Sequence, residues 1–242
     1  MALSHRPRWP LPLAVPLVLL LAACAGLASP VPPSASPAPP RIPEQVSRAD
    51  WEQDMRRFAE QDAQSPPPAG AVLFIGSSSI RFWDTLAEDF PGVTAINRGF
   101  GGSEIRDSTW YADRIVVPYR PRLIVLYAGD NDLDSGRAPA QLRLDFLAFV
   151  ERVRRDMPHV RIAYIASKPS PLRAHLLDAQ RQANALIRDE AARLRGVDFV
   201  DVYTPMLDAA GQPREELFIA DRLHLNRQGY ELWRDTLAPY LQ

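Results

Sequence analysis

Apolar positions along this chain follow two alternating periods. Short β-prone runs recur at 71–76, 93–97, 122–128, 160–166 and 197–202, and continuous apolar runs bounded by turn residues predict strands buried on both faces. Helical spacing fills the intervals. Leu142, Phe146, Phe149, Val150 and Val153 share one helical face; so do Leu176, Ala183, Ile187 and Leu194, and, near the end, Tyr230, Trp233, Leu237 and Leu241. Residues 80–90 also have helical composition. Ahead of the first strand, Ser47-Arg48-Ala49-Asp50 resembles a capping box, and Trp51, Met55, Phe58 and Ala59 form a helical stripe that ends before Pro66-Pro67-Pro68. Strands alternating with helices predict an α/β domain over residues 46–242, a three-layer α/β/α sandwich around a five-stranded parallel sheet.

The first 45 residues break this pattern. Met1 to Trp9 carries His5, Arg6 and Arg8, Leu11 to Ala23 is apolar, and small residues follow, which is the layout of an export signal. The apolar run is shorter than the roughly 20 residues a bilayer-spanning helix needs, and Pro10, Pro12 and Pro16 interrupt its start. Leu21-Ala22-Ala23-Cys24 resembles the lipobox of bacterial lipoproteins, and Cys24 is the one cysteine of the chain, so no internal disulfide is available to explain it. Residues 1–24 are therefore expected to be a signal ending at a lipidated Cys24, with ordinary cleavage after Ala28 as the alternative. Ala25 after the cysteine favours, by resemblance, the outer membrane, with the domain facing the periplasm. Residues 25–45 are rich in Pro, Ala and Ser and read as an extended tether.

Composition removes some partners. The net charge is −1 over 242 residues with no block of like charge, so neither nucleic acid nor an anionic membrane surface is indicated, and the expected membrane contact is the lipid anchor alone. Arginine supplies all basic residues but Lys168. Oligomeric state is not legible.

Chemistry is expected where strands of a parallel sheet exit, because ligands bind beyond their carboxyl ends. The first run empties into Gly76-Ser77-Ser78-Ser79, the second into Asn97-Arg98-Gly99-Phe100-Gly101-Gly102, the third into Gly129-Asp130-Asn131-Asp132, and the fourth into Ser167-Lys168-Pro169-Ser170-Pro171; the fifth leads to a loop with Asp221 and His224. Serines at a strand-to-helix turn serve equally as a helix cap or as a nucleophile. A nucleophile needs a base, a group to orient the base, and donors for an oxyanion. His224 is the best placed of the four histidines, Asp221 could hold its ring, and the glycines at 99, 101 and 102 allow a free N–H to approach an anion. Asn131 could add an amide donor. A dinucleotide loop fails because Glu104 stands where the third glycine of G-x-G-x-x-G belongs, the G-x-S-x-G elbow is absent, and there is no H-E-x-x-H zinc motif.

In these four blocks, and in their order, the sequence resembles the SGNH, or GDSL-type, serine hydrolases, whose fold is flavodoxin-like. The resemblance selects Ser78 as nucleophile, Gly102 and Asn131 with the Ser78 N–H as the oxyanion hole, and Asp221-Arg222-Leu223-His224 as the closing Asp-x-x-His. It implies an esterase or acylhydrolase acting on small-molecule, glycan or lipid acyl esters, with no metal or cofactor. Two positions depart from the family pattern, Ser77 in place of Asp and Asp130 in place of Thr. Lys168, Arg98 and Arg106 are candidates for substrate binding. A phospholipid acylhydrolase and a non-catalytic envelope lipoprotein of the same fold are the alternatives.

Overall fold

The computed structural model describes residues 51–242. The export signal, Cys24, the tether and the capping box at 47–50 lie outside the described residues. Five parallel strands form one sheet: β1 (Val72–Gly76), β2 (Ala95–Gly99), β3 (Leu123–Tyr127), β4 (Arg161–Ile165) and β5 (Val197–Val200), in the order β2-β1-β3-β4-β5. The helices are α1 (Trp51–Gln64), α2 (Ser78–Arg81), α3 (Leu86–Asp89), α4 (Ile105–Trp110), α5 (Ala112–Ile115), α6 (Asp130–Asp134), α7 (Pro139–Asp156), α8 (Leu177–Arg193) and α9 (Arg227–Leu237).

Both faces of the sheet are covered, which is why the strands read as unbroken apolar runs rather than as alternation. Leu73, Ile75, Ile124 and Leu126 pack toward α1, α7 and α8 with Phe146, Phe149 and Ile187; Val72, Phe74, Val125 and Tyr127 pack toward α9 with Trp83, Tyr230 and Trp233. Each fully buried Phe or Leu contributes about 1.5–3 kcal/mol relative to exposure. In α1 the buried stripe is Trp51, Met55 and Phe58. Ala59, expected on that face, is exposed, because it sits one residue past the stripe and rotates outward.

The expected helix over 80–90 is two short helices, α2 and α3, broken at Phe82–Thr85. Tertiary packing overrides helical composition there. Trp83 is drawn into the core against Phe74, Phe90, Tyr230 and Trp233, and its Nε1 donates to Asp89 Oδ2 at 2.7 Å. Asp89 is itself buried and held by Thr85 and a two-pronged bond from Arg227 of α9. This break brings α9 close behind the nucleophile turn, where Tyr230 Oη donates to the carbonyl of Ser79.

The strand order reverses between β1 and β3, since the chain runs from β1 to β2 on one side and returns to β3 on the other. Loops leaving such neighbours diverge and leave a crevice at the carboxyl end. The register makes β1, β2 and β3 finish level, with Gly76 beside both Gly99 and Tyr127.

Candidate active site

The first strand exit is shaped by Gly76. Its φ is +130°, and a Cβ there would lie 1.8 Å from the carbonyl oxygen of Tyr127. Only glycine lets β1 turn this tightly against β3. The turn makes Ser77 the residue before α2 and Ser78 its first helical residue, and Ser77 makes no side-chain capping bond. The serines therefore do not act as a helix cap. Asn97 clamps the turn from β2: its Nδ2 donates to the carbonyl of Ile80 at 2.7 Å while its Oδ1 accepts from the Gly99 N–H.

His224 reaches Ser78 from the other end of the chain. Its Nε2 lies 3.0 Å from Ser78 Oγ, and its Nδ1 lies 2.5 Å from Asp221 Oδ2. The loop carrying the pair is built to be stiff. A bridge joins Phe218 to Leu225, Ile219 N–H donates to the His224 carbonyl, and Arg222 takes a left-handed conformation at φ +59° to close the turn. Asn226 caps α9 through Gly229 N–H and uses its own Nδ2 to hold the carbonyls of Glu216 and Phe218. Asp221 Oδ1 accepts from both Leu223 N–H and His224 N–H at 2.9 Å. Burial pushes the Asp221 carboxyl up, but the bonds from the His224 ring and from these two N–H groups outweigh it and hold the carboxyl below its ordinary value. Phe82 packs edge-on to the imidazole, 5.0 Å between centroids.

Three candidate donors lie just beyond the carboxyl ends of β1, β2 and β3. The N–H groups of Ser78 and Gly102 have no partner among the described residues. Gly102 takes φ +83° on the loop between β2 and α4, a left-handed conformation that favours glycine. Asn131 Nδ2 donates one hydrogen to the Ser103 carbonyl at 3.0 Å; the amide has a second to give. The β3 exit and the glycine loop are laced together again by Asp132, whose Oδ1 accepts the Ile105 N–H. Asp132 is fully buried, and its carboxyl is pushed well above the ordinary range, first by burial and then by the charge of Glu104. A cleft of about 430 Å³ lies beside Gly102 and Asn131, its remaining walls formed by Glu104, Arg106, Asp134, Ser135 and Arg173.

Two of the three predicted substrate-binding residues are placed elsewhere. Lys168 is fully buried; its Nζ pairs with Asp130 at 3.2 Å and lies over the Tyr127 ring, so no part of it reaches the cleft. Its role is to neutralise a buried carboxylate. Arg98 points away along α1, where it bonds Asp62 and the Tyr119 hydroxyl and stacks on Phe58. Arg106 does line the cleft, its Nε paired with Glu104 at 2.7 Å. The Asp that replaces Thr before Asn131 is thus a buried ion, held below its ordinary value because the Lys168 and Arg173 charges together overcome the upward push of burial.

Sequence reading missed Arg173 and Asn226. In a chain whose basic residues are nearly all arginine, residue type could not single out Arg173; its one signal is its place two residues beyond the β4 exit Ser167–Pro171. Among the described residues no group of three or more His, Cys, Asp or Glu side chains is arranged to hold a metal ion.

A flavodoxin-ordered sheet with Ser, His, Asp and free N–H donors at its switch point defines a class of hydrolase. Comparison gives the family: the sequence profile of the GDSL-like Lipase/Acylhydrolase family matches residues 72–232, and the chain belongs to that family. It is an ester-bond hydrolase acting on a small-molecule ester. No curated protein matches the chain. Solved structures are similar in fold. A protein from Streptococcus pneumonia assigned as a platelet activating factor superposes with a TM-score of 0.71 at 24% identity, over 79% of this chain and 92% of that one. A Bacteroides fragilis protein assigned as an acylhydrolase gives 0.67 at 22% identity, over 77% and 94%. A GDSL-like lipase from Bacteroides thetaiotaomicron gives 0.66 at 20% identity, over 77% and 96%.

Proposed function

We propose that the chain is a serine esterase of the bacterial cell envelope. The observation that carries the esterase reading is the 3.0 Å approach of His224 Nε2 to Ser78 Oγ, with Asp221 on the other ring nitrogen. Ser78 Oγ attacks the ester carbonyl as its proton passes to Nε2, and the oxyanion takes hydrogen bonds from the Ser78 and Gly102 N–H groups and the Asn131 amide. His224 returns the proton to the leaving alkoxide as the C–O bond breaks. Water then repeats the sequence on the acyl-enzyme and releases the acid. Each oxyanion donor is worth on the order of 100- to 1000-fold in turnover. The pairing of Ser78, His224 and Asp221 speaks against a non-catalytic lipoprotein.

The polar lining beside Asn131 supports a short acyl group or an acylated glycan as substrate, with Arg106 on the wall. A specific observation favours a second reading, hydrolysis of lysophospholipid-type acyl chains: Phe82, which packs on the His224 ring, Ile219, whose N–H bonds the His224 carbonyl, and Leu172, whose N–H bonds the Arg222 carbonyl of the same loop, are each about half exposed. A panel of esters of graded acyl length plus acetylated glycans, with Ser78→Ala as control, separates the two. Fluorophosphonate labelling tests the chemistry itself: folded protein that neither labels at Ser78 nor hydrolyses short activated esters defeats it. Export and lipidation at Cys24, with the domain facing the periplasm from the outer membrane, are part of the same proposal. Palmitate labelling that persists in Cys24→Ala removes that part alone.

A further inference from the structure

We infer that Arg173 is a positioning residue for catalysis: it sets the orientation of the Asn131 amide and keeps its N–H aimed at the oxyanion. This rests on the serine-esterase reading. The Arg173 side chain is nearly buried, on the short segment between β4 and α8. Its Nη1 donates to Asn131 Oδ1 and to Asp130 Oδ2, each at 3.0 Å, and its Nη2 donates to Asp134 Oδ2 at 3.0 Å. One planar fork thus grips three side chains of the five-residue α6, a geometry a lysine cannot reproduce.

The consequence falls on Asn131. A carboxamide has an oxygen and a nitrogen end of nearly equal shape, and its neighbours decide which way it points. Here the oxygen faces a guanidinium and the nitrogen faces the Ser103 carbonyl. The flipped amide would set NH₂ against a cation and oxygen against oxygen, and the oxyanion would then lose its donor. Without Arg173 one of the two constraints disappears. The guanidinium also polarises the amide, strengthening the remaining N–H as a donor. Lys168, the second cation on Asp130, keeps that carboxylate from competing for the whole of the guanidinium.

The test is a double-mutant cycle on hydrolysis of p-nitrophenyl acetate with Arg173→Lys, Arg173→Ala and Asn131→Ala. In the wild-type background either Arg173 substitution is expected to lower kcat about 10- to 100-fold with KM within about twofold, and added guanidinium should restore part of the Arg173→Ala loss. In the Asn131→Ala background the same Arg173 substitutions should change kcat by less than about threefold. Arg173→Lys keeps the buried positive charge and so preserves the fold if Arg173→Ala does not. An equal loss in both backgrounds, or a rise in KM at unchanged kcat, overturns the inference, the latter by making Arg173 a substrate contact. Wild-type protein that fails to turn over the ester or to label at Ser78 overturns the esterase reading instead, so the two failures are distinct.

Discussion

Replacing Asp221 by asparagine should damage the enzyme more than removing the side chain. In the structure Asp221 Oδ1 is committed to two backbone donors, the N–H groups of Leu223 and His224, while Oδ2 faces His224 Nδ1. In Asp221→Asn the carboxamide oxygen inherits the two backbone bonds, and the NH₂ group is left facing Nδ1. Turning the amide over would forfeit two hydrogen bonds, about 1 kcal/mol each, so about 2 kcal/mol holds it in place and only about one molecule in thirty has the oxygen toward the ring. An NH₂ donor facing Nδ1 forces the proton onto Nε2, which then cannot accept from Ser78 Oγ. Loss of the carboxylate also removes the charge that stabilises the imidazolium, although Asp221 is 42% exposed and solvent weakens that part. The combined expectation is a kcat loss of about 10³-fold for Asp221→Asn. Asp221→Ala frees the imidazole to take either tautomer and should lose about tenfold less. Initial rates on a short activated ester, with the rate of fluorophosphonate labelling as a second readout, check this. If Asp221→Asn were as active as Asp221→Ala or more so, the tautomer argument would be refuted.

Three further predictions concern the frame around the site. Gly76→Ala is expected to cost about 4 kcal/mol or more, because its Cβ collides with a backbone carbonyl at a positive φ, and urea unfolding should show it even where the chain still folds. Asp89 is held at about 2 despite the upward push of burial, by bonds from Arg227, Trp83 and Thr85; its folded value lies below the unfolded one, so the stability it contributes is present above about pH 4 and is lost as pH falls toward about 2. Asp89→Asn should lower stability at neutral pH by about 2 kcal/mol and flatten that acid limb, and equal acid limbs would count against the assignment. Asp132 has the opposite sign: its folded value is raised above the unfolded one, so its contribution is complete below about pH 4 and declines as pH rises toward the folded value. Asp132→Asn keeps an oxygen for the Ile105 N–H and should make stability less dependent on pH above about 4; parallel dependences of stability on pH for the two proteins would contradict this.

The sequence by itself determined the strands, because a strand buried on both faces must be apolar at every position and turns can end it only with a few residue types. It also determined the order of the strand exits, and so the set of loops that holds the chemistry. The family's blocks then picked Ser78, Gly102, Asn131, Asp221 and His224 out of those loops. What only the tertiary structure decided are the contacts made by long charged side chains. Lys168, Arg98 and Arg106 are all long cations beside strand exits, yet one is buried against Asp130, one is bound to α1, and one lines the cleft. Arg173 was indistinguishable from 26 other arginines until the fold set it against Asn131. The break between α2 and α3 was decided in the same way, by the core claiming Trp83. Backbone periodicity is a local property that a chain writes along its length; which partner a flexible side chain meets depends on residues far along the chain, 146 positions away in the case of Ser78 and His224, and is settled only when the sheet brings them to one end.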